Sequence, residues 1–153
     1  MNDYKVKVKG KRFLYRTNIK LTEKGEGIIE SGNKPFIELS TPVEFGGKPA
    51  VWTPEDLLVA SVNACIMTTF SYYAVKRGFK FVSYESSAEG VLEKEERGLV
   101  FSCIEVVPEI SVKLANDVER TRDLLALSEK NCLISNSIKS KVTVKAKIQA
   151  VSI

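Results

Sequence analysis

The stretch Thr53-Pro54-Glu55-Asp56-Leu57-Leu58-Val59-Ala60-Ser61-Val62-Asn63-Ala64-Cys65-Ile66-Met67-Thr68-Thr69-Phe70-Ser71-Tyr72-Tyr73-Ala74-Val75 decides how the rest of the chain is read. Thr53 is a capping residue and Pro54 suits the first helical position. Glu55 and Asp56 place negative charge at the positive helix end. Residues 57–75 then carry no charge, and Lys76-Arg77-Gly78 supplies basic residues and a glycine stop. This predicts one long helix buried on nearly every side. Its length would allow a bilayer span, but Ser61, Asn63, Thr68, Thr69, Ser71, Tyr72 and Tyr73 argue against one, and no membrane role is expected.

Outward from the helix the pattern changes to a period of two. Tyr4, Val6 and Val8 alternate with lysines, and Phe13, Tyr15 and Ile19 follow the break at Gly10. Thr22–Gly27 reads as a turn, and Ile28-Ile29 and Phe36–Leu39 read as short strands. After the helix, residues 80–92 and 98–107 predict two long strands joined by a charged turn, with an interruption at Pro108 and an extended Ile110-Ser111-Val112 beyond it. Asn116-Asp117 predicts the start of a second helix running to about Lys130, with Val118, Leu124, Leu125 and Leu127 inward. Residues 141–151 alternate as a last strand. The order is that of an α+β chain, read as a single domain over residues 1–153. One small sheet covers one side of a helix that lacks a charged stripe. A second copy of the chain, with the long helices packed together, is the simplest cover for the rest.

Composition narrows the chemistry. The chain has 153 residues, 44% hydrophobic and 27% charged, with a formal charge of +4. Basic residues are interleaved with acids, as in Glu93-Lys94-Glu95-Glu96-Arg97, which does not suggest a nucleic-acid partner. There is no histidine, so Ser-His-Asp and Cys-His relays within the chain are excluded, and so are histidine metal sites. With no CxxC pair and no glycine-rich phosphate loop, no metal and no cofactor are expected. The N-terminal residues have no apolar core of a signal peptide, so the expected location is the cytoplasm, where thiols stay reduced.

The cysteines are then the residues to weigh. Cys65 lies mid-helix among Asn63, Ala64, Ile66 and Met67, and a packed small hydrophobe is one reading of it. Cys132 follows Asn131 where one helix ends and another turn starts, a setting that lowers a thiol's pKa. Packing alone is the competing reading there too. Cys103 in Val100-Phe101-Ser102-Cys103-Ile104 has the surroundings of a structural thiol. Cys65 and Cys132 on separate helices would form a redox pair only if folding brings them together.

Two segments carry a resemblance. Leu39-Ser40-Thr41-Pro42-Val43-Glu44-Phe45-Gly46-Gly47 followed by Thr53–Cys65 resembles the OsmC/organic-hydroperoxide-resistance (Ohr) family, which has a Pro-Glu-acid-or-amide-Leu helix start shortly before a helical cysteine. Asn131-Cys132-Leu133-Ile134-Ser135-Asn136 is similar to the family's second cysteine segment, with Leu133 in place of the usual proline. The resemblance implies an intertwined homodimer with long central helices enclosed by β-sheets. It implies an oxidoreductase acting on organic hydroperoxides in oxidative stress, with Cys65 as the attacking thiolate and Cys132 as the resolving thiol. A dithiol or a lipoylated protein would be the reductant.

The resemblance also implies an arginine beside Cys65, held by Glu55. Here Pro42-Val43-Glu44-Phe45 lacks that arginine, and Arg12, with Arg16 second, is the alternative. Ten helical residues span about 15 Å, so Glu55 reaches a Cys65 only on an antiparallel partner helix. Apolar walls from Ile66, Met67 and Phe70 would favour an apolar peroxide. The competing function is a binding protein of the same fold whose apolar cleft holds a lipid-like ligand, or a general thiol-redox protein. A structural dimer with packed thiols is the third reading.

Overall fold

A computed structural model describes residues 10–151, in two compact units that divide at Pro54 and Glu55. The strand expected over Tyr4–Val8 lies outside the described residues. The first unit is a three-stranded antiparallel meander of β1 (Asn18–Leu21), β2 (Gly27–Glu30) and β3 (Ile37–Leu39). The expected strand through Phe13 and Tyr15 begins only at Asn18, because the register of β1 is set by β2, from Asn18 opposite Glu30 to Leu21 opposite Gly27. After β3 the chain turns through a 3₁₀ segment, Val43–Phe45, to Gly46 at φ 85°. A Cβ on Gly47 would lie 1.4 Å from the Thr41 carbonyl oxygen, so no side chain fits there.

The second unit holds α1 (Pro54–Lys76), β4 (Ser83–Glu95), β5 (Gly98–Val112), α2 (Asp117–Asn131), β6 (Lys141–Val144) and β7 (Lys147–Ala150). The ends of α1 fall where Pro54 and Gly78 predict. The Phe79 amide donates to the Ala74 carbonyl at 2.8 Å and the Gly78 amide to that of Val75 at 3.1 Å, with Gly78 at φ 60°. This is the paired hydrogen-bond stop that favours glycine in the left-handed region. In α2 the expected cap does not form: Asn116 is itself helical and makes no side-chain capping bond. Two of the buried residues on α2 are polar, Thr121 and Ser128. Each satisfies its hydroxyl on the carbonyl four residues back, at 2.7 and 2.6 Å, which makes their burial tolerable.

β4 and β5 are antiparallel, and β6 and β7 both pair with β5 in parallel. Pro108 does not interrupt β5. The Val106 and Val112 carbonyls accept bonds on the β6–β7 side, whereas that of Ser111 accepts on the β4 side. Pro108 has the parity of Val106, and its missing N–H therefore falls in the gap between β6, which ends opposite Val106, and β7, which begins opposite Glu109. Alternate residues Ile104, Val106, Ile110 and Val112 are buried against the helices.

Val62, Ile66, Phe70 and Ala74, four residues apart, form the buried stripe of α1. Gly90 in β4 lets this helix approach the sheet, because a Cβ there would sit 2.7 Å from Val59 Cγ2. The expectation of a helix covered on nearly every side is not met within one chain. Met67, Tyr72 and Val75 on α1 are exposed, Val75 by 78%. By length and composition α1 is the one helix among the described residues able to cross a bilayer.

Candidate functional site

The buried stripe of α1 fixes where Cys65 stands. It is three residues past Val62 and adjacent to Ile66, at the margin of the stripe, and it is half-buried. Cys132 is fully buried in the same cluster, with Val62, Ile66, Ile104 and Val106. The structure thus brings into one cluster two cysteines 67 positions apart in sequence, and each thiol acts on the acidity of the other.

Local sequence explains the posture of Cys132. The residue leaves helical conformation, at φ −67° and ψ 111°, immediately after α2. A polar turn follows and is tied back on itself. The Asn136 amide donates to the Cys132 carbonyl at 3.0 Å and the Ser137 amide to that of Ile134 at 2.9 Å. The Asn136 side chain reaches the Lys130 carbonyl at 3.1 Å, and that of Asn131 reaches Leu127 at 2.8 Å, satisfying carbonyls left open at the helix end. In this turn the Ser135 amide and hydroxyl donate to Cys132 Sγ at 3.4 and 3.0 Å. The two preceding amides, of Leu133 and Ile134, donate to the Cys65 sulfur.

These donors separate the thiols electrostatically. Burial pushes the Cys65 thiol up. Hydrogen bonds from the Cys132 thiol, the Ile134 amide, the Thr69 hydroxyl and the Leu133 amide outweigh it, and Cys65 is held below the ordinary thiol value. Burial also pushes the Cys132 thiol up. Donation to Cys65 and the charge there push it further, the two Ser135 donors oppose them, and the net direction is upward. The lowering expected for Cys132 from its position beside a turn is therefore corrected, since two of the turn's amides serve Cys65 instead. Thr69, one helical turn beyond Cys65, has its Oγ1 at 4.0 Å from the sulfur.

The other expected residues are placed as follows. Arg12 and Arg16 are exposed, in the first unit ahead of β1. Among the described residues of the second unit no cationic side chain acts on Cys65, and neutral hydrogen-bond donors do so. Glu55 is in the first turn of α1 with Oε2 buried and without a hydrogen-bond partner among the described residues. Of the three apolar wall candidates, Ile66 and Phe70 are fully buried core, and only Met67 is exposed. Cys103 has the parity opposite to Ile104 and Val106, on the face of β5 away from the helices. Among the described residues no group of three Cys, Asp or Glu side chains is gathered to hold a metal ion. Sequence reasoning gave no role to Thr69 or Ser135. For Thr69 the signal was spacing alone, a hydroxyl four residues after Cys65, whereas Ser135 stands at the serine of the second cysteine segment that resembles the family's.

The fold and the site define an α+β protein with a close thiol pair, one sulfur on a long apolar helix and the other on the turn after a second helix. The chain belongs to the OsmC-like protein family, whose model matches residues 46–147. The uncharacterized protein YmaD of Bacillus subtilis is 24% identical over 119 residues, 76% of this chain and 79% of that protein. An OsmC-like protein of unknown function from Vibrio cholerae has the same fold, with a TM-score of 0.79 at 19% identity over 89% of this chain and all of the other. The organic hydroperoxide resistance protein OsmC from Legionella pneumophila matches with a TM-score of 0.66 at 24% identity, over 92% of this chain and all of that one.

Proposed function

We propose that this protein is a thiol-dependent peroxidase that reduces organic hydroperoxides, with Cys65 attacking and Cys132 resolving. The observation that carries this reading is that the two thiols stand together in one apolar cluster and act on each other, with Cys65 the more acidic partner. The Cys65 thiolate attacks one peroxide oxygen, the O–O bond breaks, and the leaving alkoxide takes a proton to become an alcohol. Cys65 is left as a sulfenic acid. The Cys132 sulfur then displaces hydroxide from Cys65, which leaves as water with the Cys132 proton, and the disulfide forms. A dithiol or a lipoylated protein returns both thiols by exchange. Neutral donors suffice in this reading to hold the thiolate, and Arg12 or Arg16 would add to them only if folding of the whole assembly brings one close.

The assembly we infer is a homodimer in the cytoplasm. Its support is the uncovered apolar side of α1, with Met67, Tyr72 and Val75 exposed, and the unpartnered Glu55 carboxylate oxygen, which needs a donor or a cation. A preference for apolar peroxides is supported by Met67, two residues from Cys65, and by Leu133 beside Cys132, which is 75% exposed. The test is steady-state reduction of cumene hydroperoxide and of hydrogen peroxide with a dithiol reductant. Faster turnover of the cumene compound is expected, and a preference for hydrogen peroxide would contradict the substrate class. Light scattering that finds a stable monomer would remove the dimer.

A further inference from the structure

We propose that Ser135 is a positioning residue that lets Cys132 take over the negative charge once Cys65 has been oxidised. The inference rests on the peroxidase reading above. Its starting point is a mismatch between donors and acceptor in the resting pair. Cys132 Sγ is fully buried and accepts two hydrogen bonds from Ser135, the hydroxyl at 3.0 Å and the amide at 3.4 Å. At rest that sulfur is a thiol, which is a weak acceptor and is already giving its proton toward Cys65. Two donors aimed at one buried sulfur suit a thiolate better than a thiol.

The reaction supplies that thiolate at a defined moment. In the resting pair, the charge on Cys65 and the hydrogen bond it accepts keep the proton on Cys132. When Cys65–S⁻ takes an oxygen from the peroxide, two electrons leave its sulfur for the O–O bond and the product is neutral Cys65–SOH. Both restraints on Cys132 are then gone, while the Ser135 donors remain. The Cys132 proton departs with the hydroxide displaced from Cys65, water is formed, and the S–S bond replaces the S–O bond. The apolar residues packed around Cys132 are Val62 and Ile66 of α1, Ile104 and Val106 of β5 and Val142 and Val144 of β6, with Cys65 beside them, and the charge that acts on Cys132 is that of Cys65. The arrangement makes the resolving thiol inert before oxidation and reactive after it.

The experiment compares the full chain with Ser135→Ala and Ser135→Gly, which delete the hydroxyl, and with Ser135→Thr, which keeps it. Rapid mixing with cumene hydroperoxide, followed by a sulfenate-trapping probe and by intact mass, separates sulfenate formation from disulfide formation. Both deletions should leave the peroxide-dependent step within about twofold and slow the disulfide step about tenfold, as expected for losing one hydrogen bond to a charged sulfur. The pH midpoint of the disulfide step should move upward, and Ser135→Thr should restore most of the rate. An unchanged disulfide step in the deletions, or equal slowing of both steps, overturns the role of Ser135. A wild-type protein that reacts with peroxide without passing through a sulfenate overturns the peroxidase reading first, and this proposal with it.

Discussion

The middle of α1 and the turn from Cys132 to Ser137 place two sulfurs in one apolar cluster and treat them in opposite ways. On α1 the backbone is fully engaged in the helix, so Cys65 has only the Thr69 hydroxyl as a donor from its own element. The turn has free amides, and it directs those of Leu133 and Ile134 across to Cys65 while keeping that of Ser135 for Cys132. The acidity of the helical thiol is thus set largely by an element far from it in sequence. The lesson is that a buried cysteine without a visible cation is not thereby inert, since successive amides of a tight turn replace part of what a charge would provide.

The sharpest break in the comparison is the exchange of one sulfur at a time. Cys65→Ser should reduce peroxide turnover by more than about a thousandfold, because no other nucleophile takes its place. Cys132→Ser should still oxidise once and stop with trapped sulfenate. Turnover that persists in Cys65→Ser would show that the helical thiol is not the nucleophile.

The pH dependence of alkylation gives the next effect. A lowered Cys65 pKa keeps the thiolate present as pH falls below the ordinary thiol value, and a raised Cys132 pKa keeps that sulfur protonated as pH rises through it. At pH 7 iodoacetamide should modify Cys65 about tenfold faster than Cys132, because the first is held below and the second above the ordinary thiol value. Equal rates in peptide mapping would erase the asymmetry. Leu133→Pro deletes one of the two amides, at a place where the extended Cys132 backbone suits a following proline. Alkylation of Cys65 at pH 7 should slow by about threefold to tenfold, the size of one hydrogen bond to a thiolate. Thr69→Val should slow it less, about twofold, because the contact is long at 4.0 Å. Cys103→Ser should leave both alkylation rates unchanged, since Cys103 faces away from the cluster.

Much of this was legible in the residues. Pro54 and Gly78 mark both ends of α1, and the two strands read over residues 80–92 and 98–107 correspond to the hairpin of β4 and β5, which runs over Ser83–Glu95 and Gly98–Val112. Pro108 was misleading because its effect depends on the parity of β5 against β6 and β7, which no local pattern contains. Asn116 looked like a cap, and the preceding turn from Leu114 took that place. Cys65 and Cys132 were visible as candidates through their neighbours, but the direction of their acidities was not. It depends on which sulfur each amide of the turn faces, and that follows from α1 and α2 meeting over one sheet. Thr69 escaped for the same reason, and Ser135, though part of the segment that resembles the family's, had no assigned role, since a hydroxyl near a cysteine in sequence acquires one only from the aim of its side chain.

Whether Cys65 and Cys132 bond on oxidation is read from intact mass and peptide mapping after one equivalent of an organic hydroperoxide is added to the reduced protein. A loss of two hydrogens per chain is expected, located in a bond between Cys65 and Cys132. A gain of oxygen without any disulfide, or a bond that involves Cys103 instead, would contradict it.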